Sequence, residues 1–124
     1  MQCLCKVLRP MYENNDKKYI DLEMSPSQVI QIEKIHARDM PHLEKPHKVI
    51  PLNETKLKVK VPFRYNRIMC KTTGLYTLYD AQVGDTVHCE LTYCGPWSQG
   101  DYCGLAWKIK TFNLRDKATV VHGE

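Results

Sequence analysis

The sequence predicts a mainly β fold: a small five- to seven-stranded OB-like barrel with one α-helix. Three observations lead there. Segments with apolar residues at every second position recur along the chain, broken by turn formers roughly every 8 to 12 residues. Only one segment combines helical spacing with helix-end signals. The 124 residues, 43% of them hydrophobic, suffice for one core without disulfides or metal, so 1–124 reads as a single domain. A barrel protects its strand edges by closure, and the OB-like form accommodates one helix, strong strand bends and long loops.

The elements follow in order. Residues 3–9 and 18–24 make a hairpin around "ENNDKK", where Asn14, Asn15 and Asp16 favour a turn. The helix covers 26–39. Ser25 caps it, Pro26 suits the first helical position, and Gln28 completes a capping box. Val29, Ile32 and Ile35, with His36, recur at helical spacing, and Pro41 ends the run. Residues 40–54, "MPHLEKPHKVIPLNE", hold three prolines and no period, which predicts a long loop or arm. From Lys56 the period is two. Leu57, Val59 and Val61 face one way, and Lys56, Lys58 and Lys60 the other. Pro62 ends that strand or places it on an edge.

"FRYNRIMCK" reads as a further strand after a kink, "LYTLY" as a short strand and "VGD" as a turn. "TVHCELTYC" alternates again, with Val87, Cys89, Leu91 and Tyr93 on one face. "GPWSQGD" reads as a loop that exposes Trp97. In "CGLAWKIKTFNL", Leu105, Trp107 and Ile109 lie opposite Lys108 and Lys110, so Trp107 belongs to the core. The phase slips near Thr111, which predicts a β-bulge. The tail, 115–124, reads as frayed.

Several function classes find no support. The chain has no G-x-S-x-G, P-loop, H-E-x-x-H or G-x-G-x-x-G motif, which speaks against an enzyme and against a bound cofactor. No apolar run approaches about 18 residues, so no membrane partner is expected. The N-terminus lacks signal-peptide features, which predicts an intracellular, reducing compartment with the six cysteines as thiols or ligands. A zinc site built from Cys3, Cys5, Cys94 and Cys103 fits the usual ligand spacing poorly. Small buried residues account for the same cysteines, and no metal is expected.

Nucleic-acid binding finds the best support. Net charge is only +4, but residues 45–71 carry eight Lys or Arg against Glu54 alone, and residues 72–107 carry none. Such segregation suits a polyanion. "KLKVKVPFRYNRIMCK" interleaves cations with Phe63 and Tyr65, the combination that single strands need. Phosphates are expected at Lys56, Lys58, Lys60, Arg64, Arg67, Lys108 and Lys110. Bases are expected on Phe63, Tyr65 and Trp97, with Tyr93 and Tyr102 as further platforms. Core burial would account for Phe63 and Tyr65 equally well. The helix is nearly balanced in charge and makes a poor groove reader.

"YCGLAWKIKTFNL" follows the pattern aromatic-x-G-[LI]-x-W-K-[LIV]. It resembles the last barrel strand of single-stranded-DNA-binding proteins from large DNA viruses and some phages, with the likeness extending over roughly residues 56–114. The resemblance implies an OB-fold and a role in replication or recombination, coating exposed strands with little sequence preference. It also implies work in a host nucleus or a cytoplasmic replication site. Lys108 and Lys110 match the basic positions of the pattern. Many such proteins end in an acidic tail, whereas "RDKATVVHGE" is nearly neutral. The chain is short for this group, which suggests either a minimal version or a homo-oligomer. RNA satisfies the same chemistry as DNA. A protein-interaction or virion structural module and a small zinc-stabilised protein remain the alternatives.

Overall fold

A computed structural model of the chain describes residues 1–118. The elements run β1 (Gln2–Asn14), β2 (Lys17–Glu23), α1 (Pro26–Asp39), β3 (His47–Val49), β4 (Leu52–Asn53), β5 (Lys56–Val61), β6 (Phe63–Arg64), β7 (Arg67–Ile68), β8 (Lys71–Thr73), β9 (Thr86–Gln99) and β10 (Tyr102–Asp116). Single turns of 3₁₀ helix lie at Met40–His42 and Leu78–Asp80.

Five longer strands close a ring. β1 pairs with β2, β2 with β5, β5 with β10, β10 with β9, and β9 returns to β1. Every contact is antiparallel except β5–β10, which is parallel and closes the barrel. Counted along the chain, the longer strands stand in the order 1-2-3-5-4, the OB-like arrangement expected from the sequence. The helix sits between the second and third of them.

Local chemistry explains the joints. Asn15 and Asp16 form the two-residue turn between β1 and β2, with φ of 53° and 64°, the left-handed values such a turn requires. Ser25 Oγ accepts from the Gln28 amide while the Gln28 side chain accepts from the Ser25 amide, so the capping box is complete. Strict alternation drives Leu57, Val59 and Val61 inward from β5. Leu105, Trp107 and Ile109 do the same from β10. The register between β9 and β10 shifts between Ile109 and Thr111, the bulge that the slipping phase predicts.

Five local expectations change. "FRYNRIMCK" is not one strand: left-handed Tyr65 and Asn66 fold it back as the β6–β7 hairpin, and β8 begins only at Lys71. "LYTLY" holds no strand; Thr77 and Asp80 cap the 3₁₀ turn at Leu78–Asp80, so local side-chain bonds replace a sheet ladder. "GPWSQGD" is no loop as far as Gln99, because β9 continues that far and the turn falls at Gly100 and Asp101. Cross-strand pairing with β10 overrides the local turn signals of Gly95 and Pro96. The arm 40–54 docks on the barrel. Its prolines limit pairing to the short pieces β3 and β4, while Leu43 is buried against Cys103 and Leu105. At the other end, Arg115 and Asp116 belong to β10, and the Ala118 amide donates to Asp85. The rest of the expected frayed tail, 119–124, lies outside the described residues.

Candidate nucleic-acid interface

The β5–β10 closure decides where the two basic segments meet. Lys60 lies between inward Val59 and Val61, and Lys108 between inward Trp107 and Ile109, so both side chains leave the barrel outward. The single register pair of the closure is Lys108 with Lys60. Segments nearly fifty residues apart thus place cations side by side on one outer face.

This face continues onto β2 and β1. Tyr19 is the register partner of Lys60, and Asp21 of Lys58. The Lys58 ammonium stands 4.2 Å from the centre of the Tyr19 ring. The Tyr12 and Tyr19 rings are 5.9 Å apart, and the Arg9 guanidinium stacks 3.7 Å above Tyr12. The Tyr12 hydroxyl donates to Asp21 at 2.7 Å, which fixes the ring. Burial, reinforced by that carboxylate, raises the Tyr12 pKa, so the phenol stays neutral. Acids temper part of the row: Glu23 and Asp21 are the register partners of Lys56 and Lys58, and the Lys110 ammonium lies 4.0 Å from Glu90. Lys60 and Lys108 face Tyr19 and Thr92 instead, so neither has an acid as its antiparallel register partner.

In the other direction the face runs up the β9–β10 hairpin. Ala106, Gly104 and Tyr102 follow Lys108 on the same side of β10. Trp97 pairs with Gly104, and its indole lies over the bare glycine. A Cβ at Gly104 would sit 2.8 Å from the ring and would collide with the Val49 carbonyl oxygen, so only glycine lets both approach. Tyr102 is exposed and its ring lies 4.9 Å from that of His47, its partner on β3. Aromatic platforms therefore flank the Lys60–Lys108 pair at both ends.

The remaining candidates stand elsewhere. Tyr93 turns inward, and its hydroxyl donates to Asp39 at 2.7 Å while its ring lies 5.1 Å from Trp107. It packs in the core and does not join the surface row. The reason is the alternation that placed it with Val87, Cys89 and Leu91. Phe63 is half-buried with the Lys18 ammonium 5.3 Å from its ring. Arg64, Tyr65 and Arg67 belong to the β6–β7 hairpin, a separate two-stranded sheet. Trp97 is half-buried rather than free, because Gly104 admits its ring.

Trp107 is fully structural. Its Nε1–H donates to His36 Nε2 at 2.8 Å, which ties β10 to α1. The four cysteines considered as zinc ligands, Cys3, Cys5, Cys94 and Cys103, do not converge either. Cys3, Cys5 and Cys89 point into the barrel, Cys94 is exposed, and Cys103 packs with Leu43 in a second cluster. Burial, with Cys5 close by, pushes the Cys3 thiol up to about 11, and a hydrogen bond with Cys5 plus burial pushes Cys89 upward too. These thiols stay protonated and serve as small core residues. Arg9, Tyr12 and Tyr19 escaped the sequence reading. Tyr12 and Tyr19 are equidistant from the turn at Asn15 and Asp16, and that symmetry was the available signal, because it makes them cross-strand neighbours.

Comparison with known proteins finds no matching family model, no matching curated protein and no matching solved structure.

Proposed function

We propose that this protein binds single-stranded DNA with little sequence preference, as a non-enzymatic partner of replication or recombination. The observation that carries this reading is the Lys60–Lys108 register pair. It joins two basic segments into one outward row, with Trp97 and Tyr102 at one end and Tyr19 and Tyr12 at the other. Phosphates run along Lys56, Lys58, Lys60, Lys108 and Lys110, and bases stack on the flanking rings. The β2–β5 face with the hairpin loops is the surface on which OB barrels hold oligonucleotides.

The viral or phage affiliation rests on the "YCGLAWKI" resemblance, and three residues of that run have a physical task here. Gly104 admits Trp97, Trp107 fills the core, and Lys108 faces outward. In the alternative protein-interaction reading, the arm 40–54 and the basic strand dock on an acidic protein.

Fluorescence titration with oligo-dT at several salt concentrations tests the proposal. Tight binding at low salt is expected, with a log–log slope of roughly −0.7 per phosphate contacted. The Lys60→Ala and Lys108→Ala substitutions should each flatten that slope by about 0.7. Trp97→Ala should cost about 1–3 kcal/mol of binding. Absence of binding at low salt overturns the reading. Competition with oligo-U of equal length separates a DNA from an RNA preference.

A further inference from the structure

The β6–β7 hairpin is firmly rooted and openly presented. At its base Ile68 packs against the barrel core, and the Met69 amide donates to the Pro62 carbonyl at 2.8 Å. At its tip Tyr65 is 86% exposed, and Arg64, Asn66 and Arg67 are exposed beside it. Three features of the tip oppose stability. Tyr65 holds a φ of 53° in a two-residue turn, a position that suits glycine or asparagine and strains a bulky residue. Its ring buries almost nothing. Arg64 and Arg67 are direct cross-strand partners, so like charges face each other. A hairpin that repels itself and strains its own turn gains nothing from these residues until an anion arrives.

The chemistry narrows the anion. Two paired guanidiniums next to one exposed flat ring suit phosphates next to a stacked base. A continuous single strand calls for successive platforms, which the outer barrel face has and this hairpin lacks. The end of a duplex presents one flat base pair with a phosphate strand diverging on each side. That suits an exposed ring at the tip of a hairpin whose two arginines pair just behind it.

We propose that the β6–β7 hairpin engages the junction between single strand and duplex, with Tyr65 stacked on the terminal base pair and Arg64 and Arg67 on the flanking phosphates. The proposal rests on the strand-binding reading, in which the barrel face holds the single-stranded side of the junction.

The experiment compares a DNA hairpin bearing an oligo-dT tail with the same tail alone, using the wild-type chain and its variants. The wild type should bind the tailed duplex roughly 5- to 150-fold more tightly, the range of one aromatic stack. Tyr65→Gly should abolish that preference, leave affinity for the free tail unchanged, and raise the melting temperature by relieving the left-handed turn. Replacing both Arg64 and Arg67 with alanine should shrink the preference and its salt dependence together. Equal wild-type affinity for the two DNAs overturns the proposal. So does a Tyr65→Gly variant that keeps the preference, or one that loses tail binding by the same factor. Absence of any tail binding at low salt overturns the strand-binding reading itself, and this proposal with it.

Discussion

Gly104 shows how much one missing methyl group can decide. Its position on β10 lies beneath the Trp97 indole and against the Val49 carbonyl, and both occupy the space a side chain would need. Its importance comes from that close approach. Gly104→Ala must push β3 away, displace the indole, or both. Forcing extra volume into a packed site costs about 1–3 kcal/mol. The urea midpoint should fall accordingly, and oligo-dT binding should weaken along with it as the ring leaves its seat. A variant with unchanged midpoint and affinity would show that the indole and β3 adjust freely. The residues around Gly104 divide by direction: Trp107 and Ile109 point inward to the core, while Lys108 between them points outward.

At the scale of elements, the docking of α1 depends on one imidazole. Ile32 and His36 are the buried residues of the helix, and His36 Nε2 accepts from Trp107 on β10. The ring can accept there only while Nε2 carries no proton. Burial lowers the His36 pKa below its ordinary value of 6.5, with Asp39 and Glu33 on the same helix opposing part of the shift. The rings of Tyr93 and Trp107 face it from β9 and β10. A group whose folded pKa is depressed leaves stability flat above the unfolded value. Stability then falls as pH drops from about 6.5 toward the lower folded pKa. Melting temperature should follow that course, with loss of the Trp107 environment visible in fluorescence. His36→Gln, which can accept the bond but does not titrate, should flatten the profile between pH 7.5 and about 5.

At the scale of the molecule, the last described residues help to fasten the ring. The Asp85 side chain is buried just before β9. It accepts from the Gln82 amide at 2.8 Å, the Ala118 amide at 2.7 Å and the Lys117 ammonium at 3.0 Å. Lys117 also donates to the Asp80 carbonyl. The end of β10 is thereby tied to the segment that enters β9. Burial alone would raise the Asp85 carboxyl, but the two amides and the ammonium outweigh it and hold its pKa below the ordinary value of 3.8. The stabilisation is therefore present above the unfolded pKa and lost as pH falls through the lower folded one. Asp85→Asn should cost about 2 kcal/mol at neutral pH, the scale of a lost charge-assisted hydrogen bond. Thermal melts at neutral and acid pH check this, and the gap between variant and parent should close as the medium becomes strongly acidic.

Local chemistry alone determined much of this protein. The helix at 26–39, the alternation of β5, the inward Trp107 and the bulge after Ile109 are written in spacing and end signals, because each depends on neighbours within a few residues. The outward direction of Lys56, Lys58, Lys60, Lys108 and Lys110 was legible for the same reason. What only the tertiary structure decided is which of those faces share a surface. Pairing of β10 with β5 set Lys108 beside Lys60, and pairing of β9 with β10 carried a strand through Gly95 and Pro96 and laid Trp97 over Gly104. The β6–β7 hairpin stands on its own sheet, whereas the inward turn of Tyr93 already followed from the alternation of β9. Strand partners are chosen by hydrogen bonds and packing between distant segments, and no local period records them.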